Sequence, residues 1–341
     1  MSETPSVVVI GAAAIDEWYA VSNLPEPDGG AFASEVTSAF GGVGANVSVA
    51  LDRLDRDVTL ITRVGDDEYG RRAREYLAET GVDASHLRVG NDPSTRSVVL
   101  SAPDGERAIV TTGESLRELR LTPADREAIA AADVVFLPGY TPDAVSRDVL
   151  DLIESLRSGD REKEAVDGDP PALVFDLSGP VEELLGRGTE PETVHGLLHA
   201  ADLFVAGDVA AAAYFGGPAA AVDRIAAAQR TRGAEGEGWP RAVLTHGADG
   251  MTVVADGNAR RFDAFEVDVV DATGAGDAFV AGLIDQWVAP LGNDAERASS
   301  GRLADGVRFS GALAAINCTE RFAQRGLPSR EAVERFLAAR E

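Results

Sequence analysis

Six short apolar runs, rich in β-branched residues and closed by turn residues, recur along this chain: SVVVIGA, DVTLITRVG, DVVFLPGY, ALVFDLSG, DLFVAGD and RAVLTHG. Such runs read as strands buried on both faces. Between them lie stretches with helical periodicity, among them YGRRAREYLAETG, TPADREAIAAA and PAAAVDRIAAAQR. Buried strands alternating with amphipathic helices predict an α/β fold, with a mostly parallel central sheet covered on both faces. Three other segments differ. Glu35 to Phe40, Arg96 to Ser101 and Arg107 to Thr112 are short, partly alternating and bounded by turns (PEPDGG, PDGE), the pattern of a small antiparallel flap. A length of 341 residues accommodates one large α/β domain or two smaller ones, and no long linker divides it. SGDREKEAVDGDPP and RGAEGEGWP read as solvated loops, and NDAERASSGRLADG as a loop or short polar helix.

Charge narrows the partners. Thirty-one basic residues stand against 57 acidic ones, a net charge of −26, and Lys163 is the sole lysine. Nucleic acid is excluded as a partner, because phosphate backbones require a basic face. An acidic, lysine-poor surface suits a protein kept soluble in concentrated salt, where the screening length shrinks to ~3 Å at 1 M; an acidic protein of ordinary cytosol is the alternative. Cys318 is the only cysteine, which rules out a disulfide framework and a thiolate metal cluster. The opening MSETPSVVVIGAAA has no basic residue ahead of its apolar run, and the run is too short to span a bilayer. A soluble, cytoplasmic protein without a membrane partner is expected.

Several familiar chemistries are absent. A Walker loop needs a lysine after its glycines and a eukaryotic protein kinase needs one on a strand; Lys163, in a charged loop, meets neither requirement. HGLLH, His195 to His199, lacks the glutamate of a zinc-protease helix, so these histidines read as surface or packing residues. VVVIGAAAID lacks the later glycines of a dinucleotide fingerprint. Asp16, just beyond that strand, is placed for ligand contact at the carboxyl edge of the sheet, or is a simple turn residue. FGGVGANVSVALDRLD is more specific: Gly41, Gly42 and Gly44 permit close backbone approach, and Asn46 offers a donor and an acceptor to a polyol or else caps the helix.

VVDATGAGDAFVAG, Val269 to Gly282, carries most chemistry. Gly274, Ala275 and Gly276 precede Asp277 where a helix begins. Free amides at a helix N-terminus cradle an anion, and small side chains let a phosphate approach. The same amides favour an ionised Asp277, poised to take a proton from a hydroxyl attacking a γ-phosphate. A plain N-cap would need neither the third small residue nor Asp271 upstream.

GGVGAN and DATGAGDAF together resemble the two signatures of the PfkB carbohydrate kinase family. Similarity extends through TRVGDDEYG, LTHGADG and QRGLPSREAVERFL. The resemblance implies a ribokinase-like three-layer α/β/α sandwich, a single domain over 1–341 with a β lid from about 16–40 and 95–112. It further implies ATP-dependent phosphorylation of a sugar or sugar derivative, with Asp277 as base and Gly274, Ala275 and Gly276 as anion hole. Asp16, Gly42 and Asn46 match substrate-hydroxyl positions; Thr245, Gly247 and Gly250 match a nucleotide loop; Asp271 matches a residue near a monovalent-cation site, where many members use K+. The lid often forms a dimer clasp. An Asn-x-x-Glu motif that helps organise Mg2+ is replaced by Gly207, Asp208, Val209 and Ala210, leaving Asp208 as a substitute carboxylate. Arg96 is unexpected on a lid strand. It is either an exposed strand residue or a grip for a phosphate already on the substrate, with Arg63 and Arg107 as weaker candidates. A nucleoside, or a sugar phosphate such as ribose 1-phosphate, are alternative acceptors; a non-catalytic nucleotide or sugar sensor is the alternative of another class.

Overall fold

The computed structural model describes residues 5–103, 106–158, 169–230, 239–288 and 300–340. Lys163 and most of the loops expected at 158–171 and 232–240 lie outside the described residues, as does 289–299. Residues 300–306 of the third expected loop belong to the helix Ser300–Asn317.

Nine strands make the central sheet: β1 (Ser6–Ile10), β4 (Asp57–Gly65), β5 (Leu87–Gly90), β8 (Val134–Pro138), β9 (Ala172–Asp176), β10 (Leu203–Gly207), β11 (Arg241–Thr245), β12 (Met251–Ala255) and β13 (Asn258–Phe262). Their spatial order is β13-β12-β11-β10-β9-β8-β1-β4-β5. The six runs singled out in the sequence are β1, β4, β8, β9, β10 and β11, all paired in parallel. Val7 and Val9 of β1 enter one apolar layer, while Val8 and Ile10 enter the other. That is the two-residue period of a strand covered on both faces. β12 and β13 form an antiparallel hairpin at one edge. Its turn residues Asp256 and Gly257 both have positive φ, 51° and 73°, matching the primed hairpin turn that an Asp-Gly pair favours.

β2 (Ala14–Val21), β3 (Ala33–Gly41), β6 (Arg96–Ser101) and β7 (Arg107–Thr112) form a second sheet, ordered β3-β2-β6-β7. The expected antiparallel flap is corrected in one respect: β2 and β6 run parallel. Two antiparallel hairpins lie side by side, because the chain returns to the main sheet between β3 and β6 and re-enters the flap in the direction of β2.

Two helices carry the site. Val43–Asp52 follows β3, and Ala275–Leu283 packs against it within one apolar layer. The first is seated on the end of β1 by glycine on glycine: a Cβ on Gly44 would lie 2.6 Å from the carbonyl carbon of Gly11.

Candidate active site

Gly274 opens the helix Ala275–Leu283 in the left-handed region (φ 77°), and no side chain caps this end. A Cβ on Gly274 would sit 2.7 Å from the Ala323 Cα, so neither conformation nor space admits another residue. The Ala275 amide donates to the Ala272 carbonyl and that of Ala278 to the Gly274 carbonyl. Among the described residues, the amides of Gly276 and Asp277 have no protein acceptor. Gly276 faces open space, with nothing within 4 Å of a notional Cβ. Small, uncapped and open, this helix end is built to receive an anion.

Asp277 is half-buried at the same end. Its Oδ2 accepts from Asn46 Nδ2 at 2.7 Å, and Asn46 Oδ1 accepts from Gln324 Nε2 at 2.7 Å. Asn46 and Gln324 are almost fully buried. Because Gln324 supplies a donor, the amide of Asn46 is held with its own donor toward the carboxylate. Asn46 is therefore a ligand of Asp277 rather than a helix cap: Gly42 (φ 93°) takes the cap position, with no side-chain bond there. The expected ionisation of Asp277 by helix amides is also corrected. Burial, aided by the nearby Asp176 and Asp16 carboxylates, outweighs the Asn46 hydrogen bond and pushes its pKa up to about 7.

Asp16, on β2, is buried against Gly41, where a Cβ would strike its carboxylate. Burial raises its pKa to about 6, against a hydrogen bond from Ser97 that lowers it. Asp176, at the carboxyl end of β9, was not among the residues expected from sequence. Burial pushes it to about 6, against hydrogen bonds from the Ser178 amide (3.2 Å) and hydroxyl (2.8 Å). Its signal was positional, since ligands of open α/β sheets gather beyond the carboxyl ends of strands. Gln324 opens the matched segment QRGLPSREAVERFL, without a role of its own read from it. It also lines a cavity of about 260 Å³ with Ile15, Phe40, Arg72, Phe322 and Arg325.

Arg96 is not brought to this group. It pairs across β2 with Ile15, and its neighbour Ser97 pairs with Asp16. Alternation puts Arg96 on the opposite face. There it meets the hydroxyl of Tyr69, lies over the Tyr69 ring at 4.6 Å and reaches Glu17 at 3.3 Å. Arg63 is held by Asp92 and the Ser115 carbonyl. Arg107, on β7, donates to Thr273 Oγ1 at 2.9 Å, beside Asp271. Asp271 accepts from the amides of Thr273 (2.9 Å) and Phe322 (2.8 Å), tying the loop ahead of Gly274 to the segment that contacts it. Thr245 ends β11 beside Gly207, with Gly247 (φ 58°) and Gly250 (φ 88°) just beyond. Asp208 lies next to them, its Oδ1 bonded to His246 Nδ1 at 2.6 Å.

The model of the pfkB family carbohydrate kinases matches residues 4–330. An ATP-dependent ribose-1-phosphate kinase of Halopiger xanaduensis is 30% identical over 326 residues, 94% of each chain. Among solved structures, Arabidopsis thaliana ribokinase complexed with ribose and ATP superposes with a TM-score of 0.76 at 22% identity, covering 98% of this chain and 99% of that one. A Vibrio cholerae fructokinase double mutant bound to fructose, ADP and potassium gives 0.73 at 21% identity, covering 99% and 100%. These structural likenesses establish the ribokinase fold, and the family match covers both signatures and nearly everything between and around them. With the family model matched over residues 4–330 and a relative 30% identical across 94% of each chain, the chain belongs to the pfkB family of carbohydrate kinases, phosphotransferases that act on an alcohol group.

Proposed function

We propose that the chain transfers the γ-phosphoryl group of ATP to a hydroxyl of a sugar or sugar derivative, with Asp277 as general base. The observation that carries this reading is the Asn46–Asp277 hydrogen bond beside free helix amides. It holds one carboxylate oxygen and leaves the other for the acceptor. The hydroxyl proton passes to Asp277 as the acceptor oxygen bonds to the γ-phosphorus. The bond from that phosphorus to the β,γ-bridging oxygen breaks, and its electron pair leaves with ADP. The amides of Gly276 and Asp277 meet charge growing on the phosphoryl oxygens. Asp16, Gly42 and Asn46 hold the acceptor hydroxyls, while Thr245, Gly247 and Gly250 bound the nucleotide. A pKa near 7 suits the base, since proton transfer is most effective when the acceptor titrates near the working pH.

Mg2+ bound with the nucleotide supplies charge that neutralises its β- and γ-oxygens. Among the described residues no group of three His, Cys, Asp or Glu side chains forms a cage. This fits an ion that keeps several waters and takes few protein ligands. Asp208 keeps its second oxygen free for that shell. For K+, Asp271 would supply the carboxylate ligand, each of its oxygens also accepting a backbone amide. Asn317 Oδ1, buried and unpaired, lies close by, its own amide bonded to the Thr273 carbonyl. Phe32, Val36, Ile109 and Val110 are exposed on or beside the two outer lid strands, apolar side chains that a second copy of the chain would cover.

The test is ADP formation from ATP and Mg2+ in molar KCl with a panel of sugars, nucleosides and sugar phosphates. Turnover with one class is expected. Nucleotide binding without ADP formation on any acceptor would instead favour a non-catalytic sensor.

A further inference from the structure

The residues around Asp277 close into a ring. Asp176 lies within electrostatic reach of Asp277 and also of Tyr140, just past β8. The Tyr140 hydroxyl donates to Glu183 at 3.2 Å, and its ring lies 4.6 Å beneath the guanidinium of Arg187. Arg187 Nη2 then donates to Thr111 Oγ1 on β7 of the lid, at 3.3 Å. Thr111 pairs with Ser97, and Ser97 with Asp16, so the three share one row across the lid. Asp16 returns the ring to Asp277. Four carboxylates belong to this circuit, Asp16, Asp176, Asp277 and the Glu183 that pairs with Arg187, and Arg187 is its one cation among the described residues.

We propose that Arg187 binds a phosphate-class anionic group on the acceptor, remote from the hydroxyl that Asp277 deprotonates, so that the substrate is a sugar phosphate and the product a sugar bisphosphate. This rests on the kinase reading above. The fork is held ready. Nε and Nη2 both donate to Glu183 Oε1, at 3.2 and 2.6 Å, and Tyr140 supports the guanidinium plane. Nη1 makes no hydrogen bond to the described residues, and a third of the side chain is exposed. The free Nη1, with two N–H donors on a guanidinium already fixed in its plane, can donate to phosphate oxygens. Without it, no cation of this circuit would offset Asp16, Asp176 and Asp277 for an acceptor phosphate. The Thr111 contact joins the main sheet's layer to the lid, so an anion bound there also draws the lid over the acceptor.

The experiment compares ribose 1-phosphate and ribose as acceptors, with ATP and Mg2+ in molar KCl, for wild type and Arg187→Gln. Wild type is expected to prefer ribose 1-phosphate. The variant should raise the KM for it by about 10- to 100-fold, the range of one lost charge-assisted hydrogen bond, while KM for ATP stays put and KM for ribose changes far less. Arg187→Lys, keeping charge without the fork, should fall between and guards against a folding defect. Inorganic phosphate should compete with ribose 1-phosphate in wild type and lose that effect in Arg187→Gln. Equal losses on both acceptors, or phosphate stimulating ribose turnover while ribose 1-phosphate is not turned over, would overturn the assignment. Absence of ADP formation with every acceptor would sink the kinase reading instead. Calorimetric titration of ribose 1-phosphate then still decides on Arg187: tight binding weakened about 10-fold by Arg187→Gln supports it, and equal binding refutes it.

Discussion

Asp277 is the proposed base, held by Asn46 at the helix end. Replacing Asp277 by Asn removes the proton acceptor while keeping shape, so kcat should fall by about 10²- to 10⁴-fold, with ATP affinity retained in an equilibrium titration. Turnover close to wild type would remove Asp277 from its role. Its pKa of about 7 also makes a kinetic prediction. Because the base must be unprotonated, kcat/KM should climb with pH through about 7 and then level. Stability should run the other way. Asp16, Asp176 and Asp277 titrate at about 6, 6 and 7 in the folded chain, against 3.8 when unperturbed. The folded state thus holds protons that the unfolded chain has released, and stability drains as pH rises from about 4 to about 7. Asp277→Asn should therefore melt above wild type at pH 8, by about 1–3 kcal/mol in stability, and level with it at pH 4. Asp16, Asn46 and Asp277 were legible in short motifs. Asp176 and Gln324 were not, since what joins them to Asp277 is proximity across the fold.

At the scale of elements, the N-terminus of the helix Ala275–Leu283 separates two roles of glycine. Gly274 stands at φ 77° with Ala323 against it, whereas Gly276 has empty space above it. Gly274→Ala should lower the thermal midpoint. By displacing the amides it should cut kcat by about 10²- to 10³-fold, the scale of losing an anion-hole donor. Gly276→Ala should leave the midpoint intact and raise KM for ATP, because its new methyl meets only incoming phosphate. A midpoint unchanged by Gly274→Ala would contradict the close approach to Ala323. The buried parallel strands were readable because burial on both faces leaves a continuous apolar run. β12 and β13 escaped, although the Asp256–Gly257 turn between them carries a recognisable hairpin signal. The parallel pairing of β2 with β6 could not be read from either strand, since alternation is the same for both directions.

Across the whole molecule, a net charge of −26 stands on a fold whose site is itself rich in carboxylates. Screening should matter: the Debye length falls from about 10 Å at 0.1 M to about 3 Å at 1 M. The thermal midpoint is expected to rise steadily with KCl over that range, and with NaCl alike; a flat response would show that the acidic surface is not self-repulsive enough to matter. A gain in kcat with KCl but not NaCl would instead report on Asp271 and its loop. The core resists such changes. Phe136, Phe175 and Phe204 are fully buried in neighbouring strands and owe nothing to salt.

By itself the sequence determined the layer architecture, the mostly parallel central sheet and the two glycine-rich segments that meet at Asp277. Those are local matters, set by residue period and by where a side chain is missing. Only the tertiary structure decided which face each arginine takes. One step of strand register turns Arg96 away to Glu17 and Tyr69, while Arg187, distant in the chain, reaches Thr111 on the lid. Period reveals that two faces exist; which face looks into the cleft depends on what each strand packs against.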